Sequence, residues 1–325
     1  MSTPLLDIRN LTIEFGPKEK PLRVVNDVSF TVGAGEAVGV VGESGSGKSM
    51  TALSILQLVP DAARLSGQIF YEGRDLLAVP KHNMPDIRGK EIGMIFQEPM
   101  SSLNPVMTIG DQIDEAIFLH EKLSVKDRRQ RVLDLLRLVG MPDPENRLNA
   151  YPDQFSGGMR QRVMAAIAMA CNPRLLIADE PTTALDVTIQ AQVLAMMIDI
   201  QKRLNSAILL ITHDLGVVAE VCERIVVMYA GHVVEDADVH TLFARSRHPY
   251  TQGLLKSVPT LTDTRKRLYQ IPGSVPPAGT ITKGCPFRAR CPQRMDRCAE
   301  EMPPLVSHGA GHRAACWATA MEAVA

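Results

Sequence analysis

The sequence predicts an α/β fold with a helical insertion and a small cysteine-containing module at its C-terminal end. Three observations carry this. The first two-thirds of the 325 residues alternate short β-rich apolar runs with helical patterns, as an α/β core requires. Between Pro99 and Ala170 the pattern turns mostly helical. After about Arg245 nine prolines from Pro249 to Pro304 interrupt any long element, and four of the six cysteines fall within the last 41 residues. The expected division is a core over 1–245, with its helical subdomain over about 100–170, and a module over 246–325.

Taken in order, Ala37–Val41 reads as a buried strand, followed by a glycine-rich turn and a helical run from Ser49 to Val59. Ile92–Phe96 is a further apolar run. Ser124-Val125-Lys126-Asp127 reads as an N-terminal cap before Arg131–Val139, and Gly140, Pro142 and Pro144 end that helix. Leu175–Ala178 and Ala207–Thr212 are short runs of buried-strand type, separated by a helix from about Thr188 to Arg203. Cys171 and Cys222 sit in apolar or helical stretches as core thiols. No repeat of fixed period is present.

Composition removes several function classes. With 35 Lys+Arg against 36 Asp+Glu the net charge is −1, which argues against nucleic acid as the main partner. The longest apolar stretches, such as Val163–Cys171, fall short of the ~20 residues that cross a bilayer. Met1–Arg9 shows neither a basic n-region nor an apolar h-region, so a cytoplasmic location is expected.

The chemistry lies in three motifs. Gly42-Glu43-Ser44-Gly45-Ser46-Gly47-Lys48-Ser49 fits the phosphate loop G-x-x-x-x-G-K-[ST], set between a strand and a helix. Its glycines let backbone amides approach phosphates, Lys48 reaches the β- and γ-phosphates, and the Ser49 hydroxyl suits Mg²⁺. Leu175-Leu176-Ile177-Ala178-Asp179-Glu180 is an apolar strand ending in two acids. Asp179 is suited to Mg²⁺ and Glu180 to polarising a water. Phe155-Ser156-Gly157-Gly158-Met159-Arg160-Gln161-Arg162 opens a helical run, so Ser156, Gly157 and Gly158 form a second anion site. Gln97, Asp186 after Thr183-Ala184-Leu185, and His213 after Leu209–Thr212 complete a specific order.

In that order the sequence resembles an ABC-type ATPase over about residues 5–245. The resemblance implies that ATP and Mg²⁺ are bound and that Gln97 senses Mg²⁺ and the water. It implies that Ser156, Gly157 and Gly158 contact the γ-phosphate of ATP held by the opposite subunit. His213 would be the switch histidine and Phe15 the aromatic that stacks on adenine. The signature reads Phe-Ser-Gly-Gly-Met where the family has Leu-Ser-Gly-Gly-Gln, leaving the phosphate-facing residues intact.

A narrower resemblance rests on Ile95-Phe96-Gln97-Glu98-Pro99-Met100-Ser101-Ser102-Leu103-Asn104-Pro105, Tyr229-Ala230-Gly231, His248-Pro249-Tyr250-Thr251 and Ile271-Pro272-Gly273. These look like the ATPase subunits of dipeptide and oligopeptide importers; relatives that carry nickel or glutathione are the alternative. The resemblance implies a peripheral ATPase on the cytoplasmic face of the bacterial inner membrane. Its expected partners are a second, homologous ATPase in a heterodimer, two transmembrane permease subunits and an extracytoplasmic substrate-binding protein. A soluble ABC ATPase of DNA repair or translation is the rival reading. Such proteins carry a coiled-coil insertion or two cassettes, which a single cassette of this length does not fit.

Cys285, Cys291, Cys298 and Cys316 are spaced by five, six and seventeen residues, without the C-x₂₋₄-C knuckle of most structural zinc sites. Four thiolates can ligate a [4Fe-4S] cluster, and the same tail pattern recurs in peptide-importer ATPases. The cluster is therefore expected, with zinc or free thiols as alternatives. Arg288, Arg290, Arg294 and Arg297 would offset its charge, and His308 and His312 read as surface residues.

Overall fold

The computed structural model describes residues 3–98, 102–183, 186–258, 269–309 and 311–320. Pro99-Met100-Ser101, Ala184, Leu185 and Pro259 lie outside them. In chain order the elements are β1 (Leu6–Phe15), β2 (Leu22–Val32), β3 (Ala37–Val41), α1 (Lys48–Ile55), β4 (Arg64–Tyr71), β5 (Arg74–Asp75) and β6 (Ile92–Ile95). Next come α2 (Ile109–His120), α3 (Val125–Leu138), α4 (Pro144–Arg147), α5 (Gly157–Ala168), β7 (Leu175–Asp179), α6 (Val187–Leu204), β8 (Ala207–Thr212), α7 (Leu215–Val221), β9 (Arg224–Tyr229) and β10 (His232–Asp238). The last are α8 (Val239–Arg245), α9 (Pro249–Ser257), α10 (Arg297–Glu300), β11 (Val306–Ser307), β12 (Arg313–Ala314) and α11 (Trp317–Ala320).

The chain forms two compact units. One is built chiefly from Ala78–Ile211. In it β6, β7 and β8 run parallel, with Ile92 opposite Leu175 and Leu175 opposite Ala207. Every residue of β7 is buried, which explains its unbroken apolar run before Asp179. The helices begin at polar caps: Thr108, Ser124, Ser156 and Asp186 accept from the amides of Asp111, Asp127, Met159 and Ile189. Each such cap contributes about 1 kcal/mol. Because Ser124 caps directly, α3 starts at Val125, earlier than the apolar pattern suggested.

The other unit is built from Leu6–Thr31, Ala37–Leu77 and the described residues from Thr212 onward. It holds an antiparallel sheet in the order β2-β1-β4-β5. A second sheet pairs β3 in parallel with β9, which runs antiparallel to β10. Strand β12 extends it, pairing Ala314 with Glu235 and Arg313 with Asp236. The C-terminal region thus shares a unit with the phosphate loop. Tyr229, Tyr250 and Phe287 stack there with ring centroids 4.6–5.4 Å apart. Pro249 opens α9 at a position where a missing amide costs nothing.

Candidate nucleotide site

In the unit that carries β3, the chain leaves Val41 into Gly42-Glu43-Ser44-Gly45-Ser46-Gly47 and re-enters helix at Lys48. A Cβ on Gly42 would lie 2.2 Å from the Met228 carbonyl oxygen. Gly47, the N-cap of α1, has φ 98°, a conformation that excludes other residues at low cost. Lys48 is buried, and its Nζ donates to the carbonyls of Gly42 (2.7 Å) and Glu43 (3.1 Å). Ser46 is fully buried, and its Oγ has no hydrogen-bond partner among the described residues. A buried hydroxyl without a partner among the described residues and a lysine folded back on its own loop at a helix start together fit a polyphosphate. Ser44 and Gly45 are exposed at the crest of the loop, and Ser49 is half-buried behind it.

In the unit that carries β7, Asp179 is buried at the strand end. Glu180 follows at φ 46°, a left-handed conformation in which a non-glycine residue is held only by its surroundings. Its amide donates to the Ile211 carbonyl at 2.8 Å. Its carboxylate accepts from Gln97 Nε2 at 3.1 Å and from Thr183 Oγ1 at 2.9 Å. Gln97 and Glu180, far apart in sequence, are thus brought together. Within this unit the Asp179 carboxylate and the Gln97 amide oxygen are ligands of the kind that Mg²⁺ takes.

Ser156 and Gly157 are exposed at the start of α5, where Ser156 Oγ accepts from Met159 N at 3.4 Å. Gly158 is buried for another reason: a Cβ there would meet Ile189 Cγ2 at 2.4 Å, so α5 and α6 touch through it. Asp186 is spent on capping α6, its carboxylate accepting from Ile189 N at 3.0 Å. His213 is exposed just past β8. Phe15 ends β1 half-buried, and is not among the residues lining the cavity beside Gly45.

The expected iron–sulfur centre is corrected. Among the described residues no group of three or more His, Cys, Asp or Glu is placed to hold a metal ion, so neither a cluster nor zinc is supported at Cys285, Cys291, Cys298 and Cys316. Burial pushes the Cys285 thiol up to about 12 and raises Cys291. Cys285, Cys298 and Cys316 are buried as small core residues. The arginines have other tasks. Arg297 pairs with Glu301 at 3.1 Å over the Trp317 ring, and Arg288 donates to the carbonyls of Lys283 and Cys285.

Several residues were missed from the sequence. Arg290 Nη1 donates to Glu43 Oε2 of the phosphate loop at 3.0 Å, and Tyr250 Oη accepts from the Glu43 amide at 2.8 Å. His312, read as a surface residue, is buried against Glu235 at 2.8 Å. The tail motif His248-Pro249-Tyr250 is the available signal for the Tyr250 contact.

A strand, phosphate loop and helix, with a second strand ending in two acids, define a P-loop nucleotide-binding protein. The family profile described as "ABC transporter" matches residues 25–183, and that described as "Oligopeptide/dipeptide transporter, C-terminal region" matches 234–298. The chain is 50% identical over 319 residues to the oligopeptide transport ATP-binding protein AppD of Bacillus subtilis, covering 98% of this chain and 97% of AppD. It is 48% identical over 313 residues to the dipeptide transport ATP-binding protein DppD of Escherichia coli, covering 96% of each. Among solved structures it resembles the dimeric post-hydrolysis state of the ATP-binding cassette MJ0796 bound to ADP and Pi. That match has a TM-score of 0.64 at 27% identity and covers 72% of this chain and 98% of that one. The chain belongs to the ABC transporter ATP-binding proteins of the oligopeptide/dipeptide type.

Proposed function

We propose that this protein hydrolyses ATP to power an ABC importer of dipeptides or oligopeptides. The core over 1–245 would be the motor and the region over 246–325 its family-specific extension. The observation that carries the hydrolytic reading is Glu180, whose carboxylate is aimed by Gln97 and Thr183 while its backbone is held at φ 46°.

Lys48 and the amides of Gly42–Ser49 hold the β- and γ-phosphates of ATP. Lys48 gives up its two loop carbonyls for phosphate oxygens when ATP enters. Ser49, Gln97 and Asp179 would hold Mg²⁺, which would supply positive charge against the phosphates. Glu180 takes the proton of the attacking water, Gln97 fixing the direction of its carboxylate. His213 acts at the γ-phosphate side. Ser156, Gly157 and Gly158 present a helix N-terminus to the γ-phosphate bound by a partner ATPase.

That partner is a second, homologous subunit, and the pair works on two permease subunits fed by a substrate-binding protein, at the cytoplasmic face of the membrane. Among the described residues no helix is long and apolar enough to cross a membrane, so the permeases would supply the path. The relatives' names, dipeptide and oligopeptide transport, support the cargo.

The test is Glu180→Gln in the assembled transporter. ATP binding should persist while turnover falls by about 10²–10⁴-fold, the usual loss on removing a general base. Turnover near that of the unaltered complex would remove Glu180 from the role.

A further inference from the structure

Beside the phosphate loop lies a cavity of about 330 Å³, large enough to enter the range of about 300–1,000 Å³ typical of small-molecule pockets. Arg23, Val24 and Gly45 line one side. The other side is not cassette: Pro276, Pro277, Ala278 and Ile281 of the C-terminal region form it.

This wall is built rather than draped. Thr280 donates to the Pro277 carbonyl through both its amide (3.1 Å) and its hydroxyl (2.6 Å), closing a tight turn over 277–280. Gly279, at φ 76°, passes so close to β2 that a Cβ would sit 2.7 Å from Leu22 Cδ1. Downstream of the wall, Arg290 ties the residues just before the wall to the phosphate loop. It donates to the Pro272 carbonyl at 3.0 Å and the Ile271 carbonyl at 3.3 Å while paired to Glu43 at 3.0 Å. The wall is therefore fixed to the same loop that would hold the phosphates.

We propose that the C-terminal segment Pro276–Thr282 is part of the nucleotide site, forming the outer wall of the pocket that takes the nucleoside end of ATP. The inference rests on the reading of Gly42–Ser49 as the ATP phosphate site. Its chemistry is distinct from that loop's: flat proline faces and the Ala278 and Ile281 side chains suit a planar, largely apolar base, whereas the loop suits charge. The cassette alone would leave the nucleoside open to water on this side. Nucleotide affinity then depends on the extension, through contacts that the phosphates do not make.

Ala278 is exposed, so a large side chain can be placed there without disturbing a core. Calorimetric titration of the full chain with ATP and with inorganic tripolyphosphate separates the two halves of the site. Ala278→Trp should weaken ATP by about tenfold or more while tripolyphosphate binding stays within about twofold. Lys48→Ala should lose both ligands. Unaltered ATP affinity in Ala278→Trp, or equal loss of tripolyphosphate, overturns the wall. ATP affinity retained by Lys48→Ala overturns the phosphate-loop reading beneath it, a different and separable failure. Photolabelling of the unaltered chain needs no variant to fold. ATP carrying an azide on its adenine ring should label a peptide containing 276–282, and labelling confined to residues before 245 counts against the proposal.

Discussion

Breaking the Arg290–Glu43 pair asks whether the C-terminal region holds the phosphate loop in place. The perturbation is a cycle of Arg290→Met, Glu43→Gln and the double variant. The two side chains meet at 3.0 Å and are 6% and 30% exposed, so the pair is neither buried nor at the surface. Exposed pairs couple by about 0.2–1 kcal/mol. Stripping one partner from a buried pair costs about 3–5 kcal/mol. With Arg290 shielded and Glu43 partly wet, solvent screening puts the coupling at about 1–2 kcal/mol. Arg290→Met alone should cost more, about 2–4 kcal/mol, since it also strips donors from Pro272, Ile271 and the Tyr229 hydroxyl. Glu43→Gln should cost less, because the Glu43 amide keeps Tyr250. Urea unfolding of the full chain gives the four stabilities, and ATP titration of the same samples reads the loop. A coupling below about 0.3 kcal/mol, the ordinary scatter of independent sites, would refute the latch.

Two further outcomes follow from packing and burial. Burial holds His248 down at about 4 against an ordinary 6.5, and its Nδ1 accepts from the Tyr250 amide at 3.1 Å, so the folded chain keeps the ring neutral. The unfolded chain takes up that proton as pH falls through 6.5 and the folded chain does not until about 4, so stability drops across this window by up to about 1.4 kcal/mol per pH unit for this ring. His248→Asn should flatten the slope of urea stability against pH, and an unchanged slope would contradict neutral burial; His232, held down to about 4 in the same way, supplies a second share. Gly158→Ala should cost about 1–3 kcal/mol through its clash with Ile189. Ile189→Ala should cost less in that background than in the parent, and strictly additive costs would show that the two residues do not touch.

What could be read from the sequence follows the distance over which each interaction acts. The phosphate loop was legible because its strand, glycines, lysine and helix start are consecutive, and each residue's task is local. So was the strand bearing Asp179, whose buried apolar run needs no partner to be recognised. The contact of Gln97 with Glu180 spans 83 residues and that of Arg290 with Glu43 spans 247, and neither leaves a local trace. His312 looked solvated among glycines because its partner, Glu235, stands 77 residues earlier. The cysteines misled for a related reason. Four thiols gathered in a proline-rich tail read as a metal centre, and the tail has few clustered apolar residues of its own. Its core is instead borrowed: Phe287 packs on Tyr229 of β9, and β12 pairs with β10 of the same sheet. A segment that joins an existing sheet needs no staple of its own. The physical consequence is that stability of the extension and order of the phosphate loop are one property, since the residues that anchor the first, Arg290 and Tyr250, are the ones that grip the second at Glu43.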